Sequence, residues 1–89
     1  VTIETFNKNL TYNGSSQIPE VKLKGVLPKD GDILFVVTEG DTVNVGEYTL
    51  KVVLTNYNYR LESSNVYTIS INKKDVSEKI ISLLSKILV

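Results

Sequence analysis

The chain has 89 residues, ten basic and ten acidic side chains that cancel, and neither cysteine nor histidine. One core suits that length; it must form without disulfides or thiolate metal sites, and most hydrolytic schemes lose their usual proton carrier. No Lys/Arg cluster marks a nucleic-acid surface, and no apolar run approaches the roughly 20 residues that span a bilayer.

From Val1 to Lys74 apolar residues mostly alternate with polar ones, and β-branched and aromatic types dominate, which predicts strands with one buried face. Val1, Ile3 and Phe6 begin the first strand. Asn7-Lys8-Asn9 interrupts it before Leu10-Thr11-Tyr12, so a short hairpin or a strand switch is expected there. Asn13-Gly14 signals a turn because both residues tolerate positive φ. Val21, Leu23 and Val26 then alternate with Lys22 and Lys24 behind Pro19, the pattern of a half-exposed strand.

Leu27-Pro28-Lys29-Asp30-Gly31-Asp32 is a polar connection, and the uninterrupted apolar run Ile33–Val37 after it is expected to be the core strand. Past a turn at Glu39-Gly40-Asp41, Tyr48, Leu50, Val52 and Leu54 alternate with Thr49, Lys51, Val53 and Thr55, which names a buried face directly. Asn56-Tyr57-Asn58-Tyr59 is another turn, and Val66–Ile71 supplies a last strand that closes the sheet. The period changes at Asp75: Val76, Ile80, Leu83, Leu84 and Ile87 fall at helical spacing, with Asp75 or Ser77 as N-cap and Glu78 in the first turn.

The expected architecture is therefore all-β: an Ig-like antiparallel β-sandwich of six to seven short strands over residues 1–74, followed by a C-terminal amphipathic α-helix or linker over 75–89. The alternative is a β-grasp-like α+β arrangement. It needs a helix packed on the sheet, and the sequence offers only the terminal one.

Leu10-Thr11-Tyr12-Asn13-Gly14, Asn44-Val45-Gly46-Glu47-Tyr48, Asn56-Tyr57-Asn58-Tyr59 and the exit Ile69-Ser70-Ile71-Asn72-Lys73-Lys74 occur in that order. In this order and spacing, over roughly residues 8–75, the chain resembles the MBG or YDG-type repeats of bacterial surface proteins and adhesins. The resemblance implies an extracellular, β-rich module, at the cell surface or secreted, that serves as spacer, stalk or adhesive unit beside neighbouring repeats of the same chain, with no catalytic residues to transfer. Where such repeats run on into another strand-rich copy, residues 75–89 turn helical. The Gly46-x-Tyr48 spacing is also reminiscent of Ig domains in which a tyrosine hydroxyl ties back to preceding backbone, so Tyr48 is expected to be at least partly buried.

Tyr12, Tyr57 and Tyr59 are the candidate binding surface, an aromatic platform for a glycan or a host protein, set against the simpler role of anchoring turns. Asp30, Asp32, Glu39, Asp41 and Glu47 could gather around calcium, but their spacing matches no calcium loop and turns favour Asp for backbone reasons. No metal, cofactor or catalytic residue is assigned. An internal Lys–Asn isopeptide needs a buried lysine beside a protonated acid, and no diagnostic pairing marks one. Asn9-Leu10-Thr11 and Asn13-Gly14-Ser15 are sequons that a bacterial protein leaves silent. The leading expectation is a non-catalytic spacer or stalk module that binds no nucleic acid and inserts in no membrane, and the alternative is an adhesive module.

Overall fold

The computed structural model describes residues 1–76, and within them the chain is all-β apart from one 3-10 turn at Pro28–Asp30. Six strands follow in order: β1 (Thr2–Ile3), β2 (Asn9–Thr11), β3 (Leu23–Lys24), β4 (Leu34–Glu39), β5 (Gly46–Leu54) and β6 (Val66–Asn72). They form a four-stranded sheet in the order β2-β6-β5-β4 and a two-stranded antiparallel sheet of β1 and β3. The expected helix over 75–89 lies outside the described residues, save for Asp75 and Val76.

The interruption at Asn7-Lys8-Asn9 is a strand switch, since β1 belongs to the small sheet and β2 to the large one. The Asn7 side chain accepts the Asn9 N–H at 3.0 Å, which fixes the bend that redirects the chain. One departure from the antiparallel expectation appears here: β2 pairs with β6 in parallel, Asn9 opposite Ser70 and Thr11 opposite Asn72. The chain reaches β2 after switching sheets rather than through a hairpin with β6, so nothing forces the two strands to run in opposite directions.

β5 carries the clearest alternation and is the centre of the fold. Tyr48, Leu50 and Val52 point to one face and are buried, and the antiparallel neighbour β6 adds Ile69 and Ile71 to the same face. Ile3, Phe6, Leu10, Tyr12, Leu34, Val36, Leu61 and Tyr67 pack against that cluster, together with buried Val21. The core thus sits on one side of the large sheet and is covered from outside it by Ile3, Phe6, Val21 and Leu61. Phe6 meets Tyr67 edge to face, with centroids 5.1 Å apart, and the Lys8 ammonium lies 4.5 Å above the Phe6 ring.

Ile33–Val37 is not the central strand that its composition suggests. β4 is an edge strand whose burial alternates, with Leu34 and Val36 turned to the core and Phe35 and Val37 turned to solvent at 49% and 43% exposure. Ile33, just ahead of β4, is buried. An unbroken apolar run carries no period, so it cannot report that only one of its two faces is covered.

Gly40 permits the reversal between β4 and β5. Its φ is +112°, and a Cβ there would come within 3.1 Å of the Tyr48 Cβ, so both the backbone and the approach of Tyr48 demand glycine.

Candidate functional site

Four Asx motifs shape the loops: Asn7, Asn13, Asp41 and Asn56 each accept the backbone N–H two residues on. Much of the chain's asparagine is therefore loop architecture. Asp41 does most, because its carboxylate receives the N–H groups of Val43 and Asn44 and the Asn44 side-chain amide, the last at 2.7 Å. These hydrogen bonds, led by the Asn44 backbone N–H, hold the Asp41 carboxyl below the usual aspartate value.

Two tyrosines act as ties. Tyr48, buried on β5, donates its hydroxyl to the Gln17 carbonyl at 2.7 Å, and Gln17 in turn donates its backbone N–H to the Thr42 carbonyl and its side-chain amide to the Thr11 carbonyl. The segment after the Gly14 turn is thereby strapped to both the β4–β5 loop and β2. This is the backbone tie expected of Tyr48, and burial pushes its phenol pKa up. Tyr59 donates to the Asp30 carboxylate and accepts the Leu27 N–H at 3.1 Å, which pins the 3-10 turn to the β5–β6 loop. The hydrogen bond to Asp30 is the main reason the Tyr59 pKa is raised.

The three tyrosines proposed as a platform do not form one. Tyr12 follows β2, at the end of the sheet where Asn72 leaves β6, and its N–H donates to the Asn72 carbonyl at 2.9 Å. Tyr57 and Tyr59 lie beyond Leu54, at the opposite end of β5 from Gly46, which faces Ile71. Tyr59 is engaged with Asp30 and Leu27, whereas the Tyr57 ring is fully exposed.

The acidic loop residues also stay apart: among the described residues no group of three or more carboxylates converges as metal ligands. Asp30 meets Tyr59, and Asp41 meets its own turn. Among the described residues no lysine and no other polar or charged residue is buried, so none of these lysines is the desolvated amine that an isopeptide requires. No helix among the described residues is long and apolar enough to cross a membrane.

Sequence reasoning passed over two features. One is the outer face of the large sheet, where Phe35, Val37 and Val66 are 43–49% exposed and Val53 lies opposite Phe35. The alternation of β5 was the signal available, since pairing a strand with it in register exports every second residue of an apolar neighbour. The other is a cleft of about 360 Å³ beside β4, lined by Val21, Leu23, Val26, Ile33 and Leu34, that separates β3 from β4. Nothing in local sequence reports a gap between two strands that never pair.

Among the described residues, then, the chain is all-β, and the polar side chains named above hold its loops. Comparison with protein-family models, with curated proteins and with solved structures finds no match to this chain.

Proposed function

We propose that the chain is a non-catalytic, load-bearing spacer module of an extracellular bacterial repeat protein of the MBG or YDG type, folded as a small Ig-like sandwich in which the β1–β3 sheet faces the four-stranded one. The observation that carries this reading is the parallel pairing of β2 with β6. The Ser70 N–H donates to the Lys8 carbonyl at 2.8 Å, Tyr12 N–H to Asn72 at 2.9 Å, and the Asn72 side chain to Leu10 at 3.1 Å.

Tension applied through neighbouring domains enters before β2 and leaves after β6. Because the strands are parallel, that tension loads their hydrogen bonds in shear, all together, rather than opening them one at a time. β1, held through two ladder positions, the Glu4 N–H to the Lys22 carbonyl and the Val1 contacts to Arg60 and Glu62, yields first and leaves the β2–β6 clamp to bear the load. The tie from Tyr48 through Gln17 to Thr11 supports the clamp from the side.

Single-molecule stretching of the chain between inert handles tests the reading. The expected result is one dominant unfolding event whose force falls by about half in Tyr12→Pro, which removes a clamp donor worth a net ~1 kcal/mol in the absence of load. An unfolding force near the instrument's floor in the unaltered chain, or one indifferent to Tyr12→Pro, overturns it. A second reading, adhesion through the β5–β6 loop, rests on the fully exposed Tyr57 ring and is tested by loss of glycan or protein binding in Tyr57→Ala.

A further inference from the structure

The free edge of β4 has a pattern that fits a second copy of itself. The Thr55 N–H bonds the Ile33 carbonyl at 2.8 Å, and the register keeps Phe35 opposite Val53 and Val37 opposite Lys51. Hydrogen-bonded pairs alternate along an antiparallel ladder, so Phe35, Val37 and Glu39 direct their backbone groups at β5, while Leu34, Val36 and Thr38 direct theirs away from it. Among the described residues no strand adjoins β4 on that side.

Edge strands are usually protected by a lysine, a proline, a bulge or a covering loop. Leu34-Phe35-Val36-Val37-Thr38 carries no charge, no proline and no glycine. We propose that β4 is a homotypic association edge: two copies of the chain pair β4 to β4, antiparallel, about a two-fold axis at Val36, and so join their four-stranded sheets into one.

That register satisfies each outward backbone group. Val36 exchanges bonds with Val36 of the second copy, and Leu34 does so with the second copy's Thr38, and the converse. Between them, Phe35 faces Val37 of the second copy on the outer sheet surface, as a close, non-hydrogen-bonded pair. The exposed apolar pair Phe35 and Val37, flanked by half-buried Val53, then continues across the junction instead of ending in water. Charge does not oppose the pairing. Each Glu39 falls opposite Ile33 of the other copy, so the two carboxylates lie at opposite ends of the seam.

A single short seam makes a small interface, of the size class that gives weak, transient association, so the dimer is concentration-dependent. Sedimentation velocity on the full chain, from about 10 µM to about 1 mM, brackets the micromolar-to-millimolar range of such contacts. The expected result is a sedimentation coefficient that rises with concentration. Phe35→Lys/Val37→Lys sets like charges across the axis and is expected to abolish the rise, whereas Phe35→Lys/Val37→Glu sets opposite charges across it and restores the rise. Both pairs of substitutions lie on the solvent face, and a thermal melt of each variant reports whether the monomer still folds.

A chain that stays monomeric throughout the range overturns the proposal. So does association that survives Phe35→Lys/Val37→Lys and disappears in Leu84→Lys, which assigns self-association to the C-terminal segment. Failure of folded Phe35→Lys/Val37→Glu to regain association also overturns it, because the Val36-centred register requires that rescue.

Discussion

β4 and β5 lie side by side, in register from Leu34–Leu54 to Glu39–Thr49, and are both rich in apolar residues, yet they spend them differently. β5 has a neighbour on each side and buries Tyr48, Leu50 and Val52 without exception. Among the described residues β4 has one neighbouring strand, and it leaves Phe35 and Val37 half in water. The face of the sheet a side chain points to, not the hydrophobicity of the strand, therefore sets how much it contributes. A small domain with one core face can place apolar residues where they do nothing for folding and remain free for association.

That contrast is sharpest by truncation. Leu50→Ala removes a fully buried side chain at the centre of the core and is expected to cost about 2–5 kcal/mol, enough to unfold much of a domain this size at ambient temperature. Val37→Thr, on the outer face of β4, is expected to change stability by no more than about 0.5 kcal/mol. Urea denaturation of the two variants checks both values. If they cost the same, the assignment of inner and outer faces is wrong.

Gly40→Ala comes next, at about 1–3 kcal/mol, since alanine meets both an unfavourable φ and the Tyr48 Cβ. Thermal unfolding reads it, and a neutral outcome means that the β4–β5 turn is not as close to Tyr48 as described. Tyr48→Phe keeps the ring and loses the bond to Gln17, an expected cost of about 0.5–1.5 kcal/mol in the same denaturation assay.

The smallest effect is electrostatic. The folded-state pKa of Asp41 lies below its ordinary value, so its contribution is complete above that ordinary value and is lost as pH falls through the folded one. Melting temperature is therefore expected to fall on acidification below about pH 4, the ordinary aspartate range. Asp41→Asn, which can still accept the Val43 and Asn44 N–H groups, is expected to flatten that fall. An unchanged acid profile in Asp41→Asn removes Asp41 from the account.

How much of this was legible beforehand follows from what each signal can encode. The alternation over Tyr48–Val52, the exit strand through Ile71, the break at Asn7–Asn9 and the tie of Tyr48 are local patterns that the structure has. The alternation does not extend to half-buried Leu54, and the break is realised as a strand switch and not a hairpin. The edge position of β4 and the parallel run of β2 are relations between strands far apart in sequence, which no local pattern carries. The candidate surface is divided for the same reason: Tyr12 and the Tyr57–Tyr59 pair share a residue type but occupy opposite ends of the sheet. Tyr59 was visible as a turn residue, but its partner Asp30 sits 29 positions away.

The most direct test of the one-sided edge is residue-resolved amide exchange on the full chain, kept dilute enough to be monomeric. Phe35, Val37 and Glu39 are expected to exchange slowly through their bonds to β5, and Leu34, Val36 and Thr38 rapidly, against slow exchange at Leu50 and Ile69. Equal protection at all six β4 positions in the dilute monomer would contradict the account, because it would mean that another part of the same chain already covers the edge.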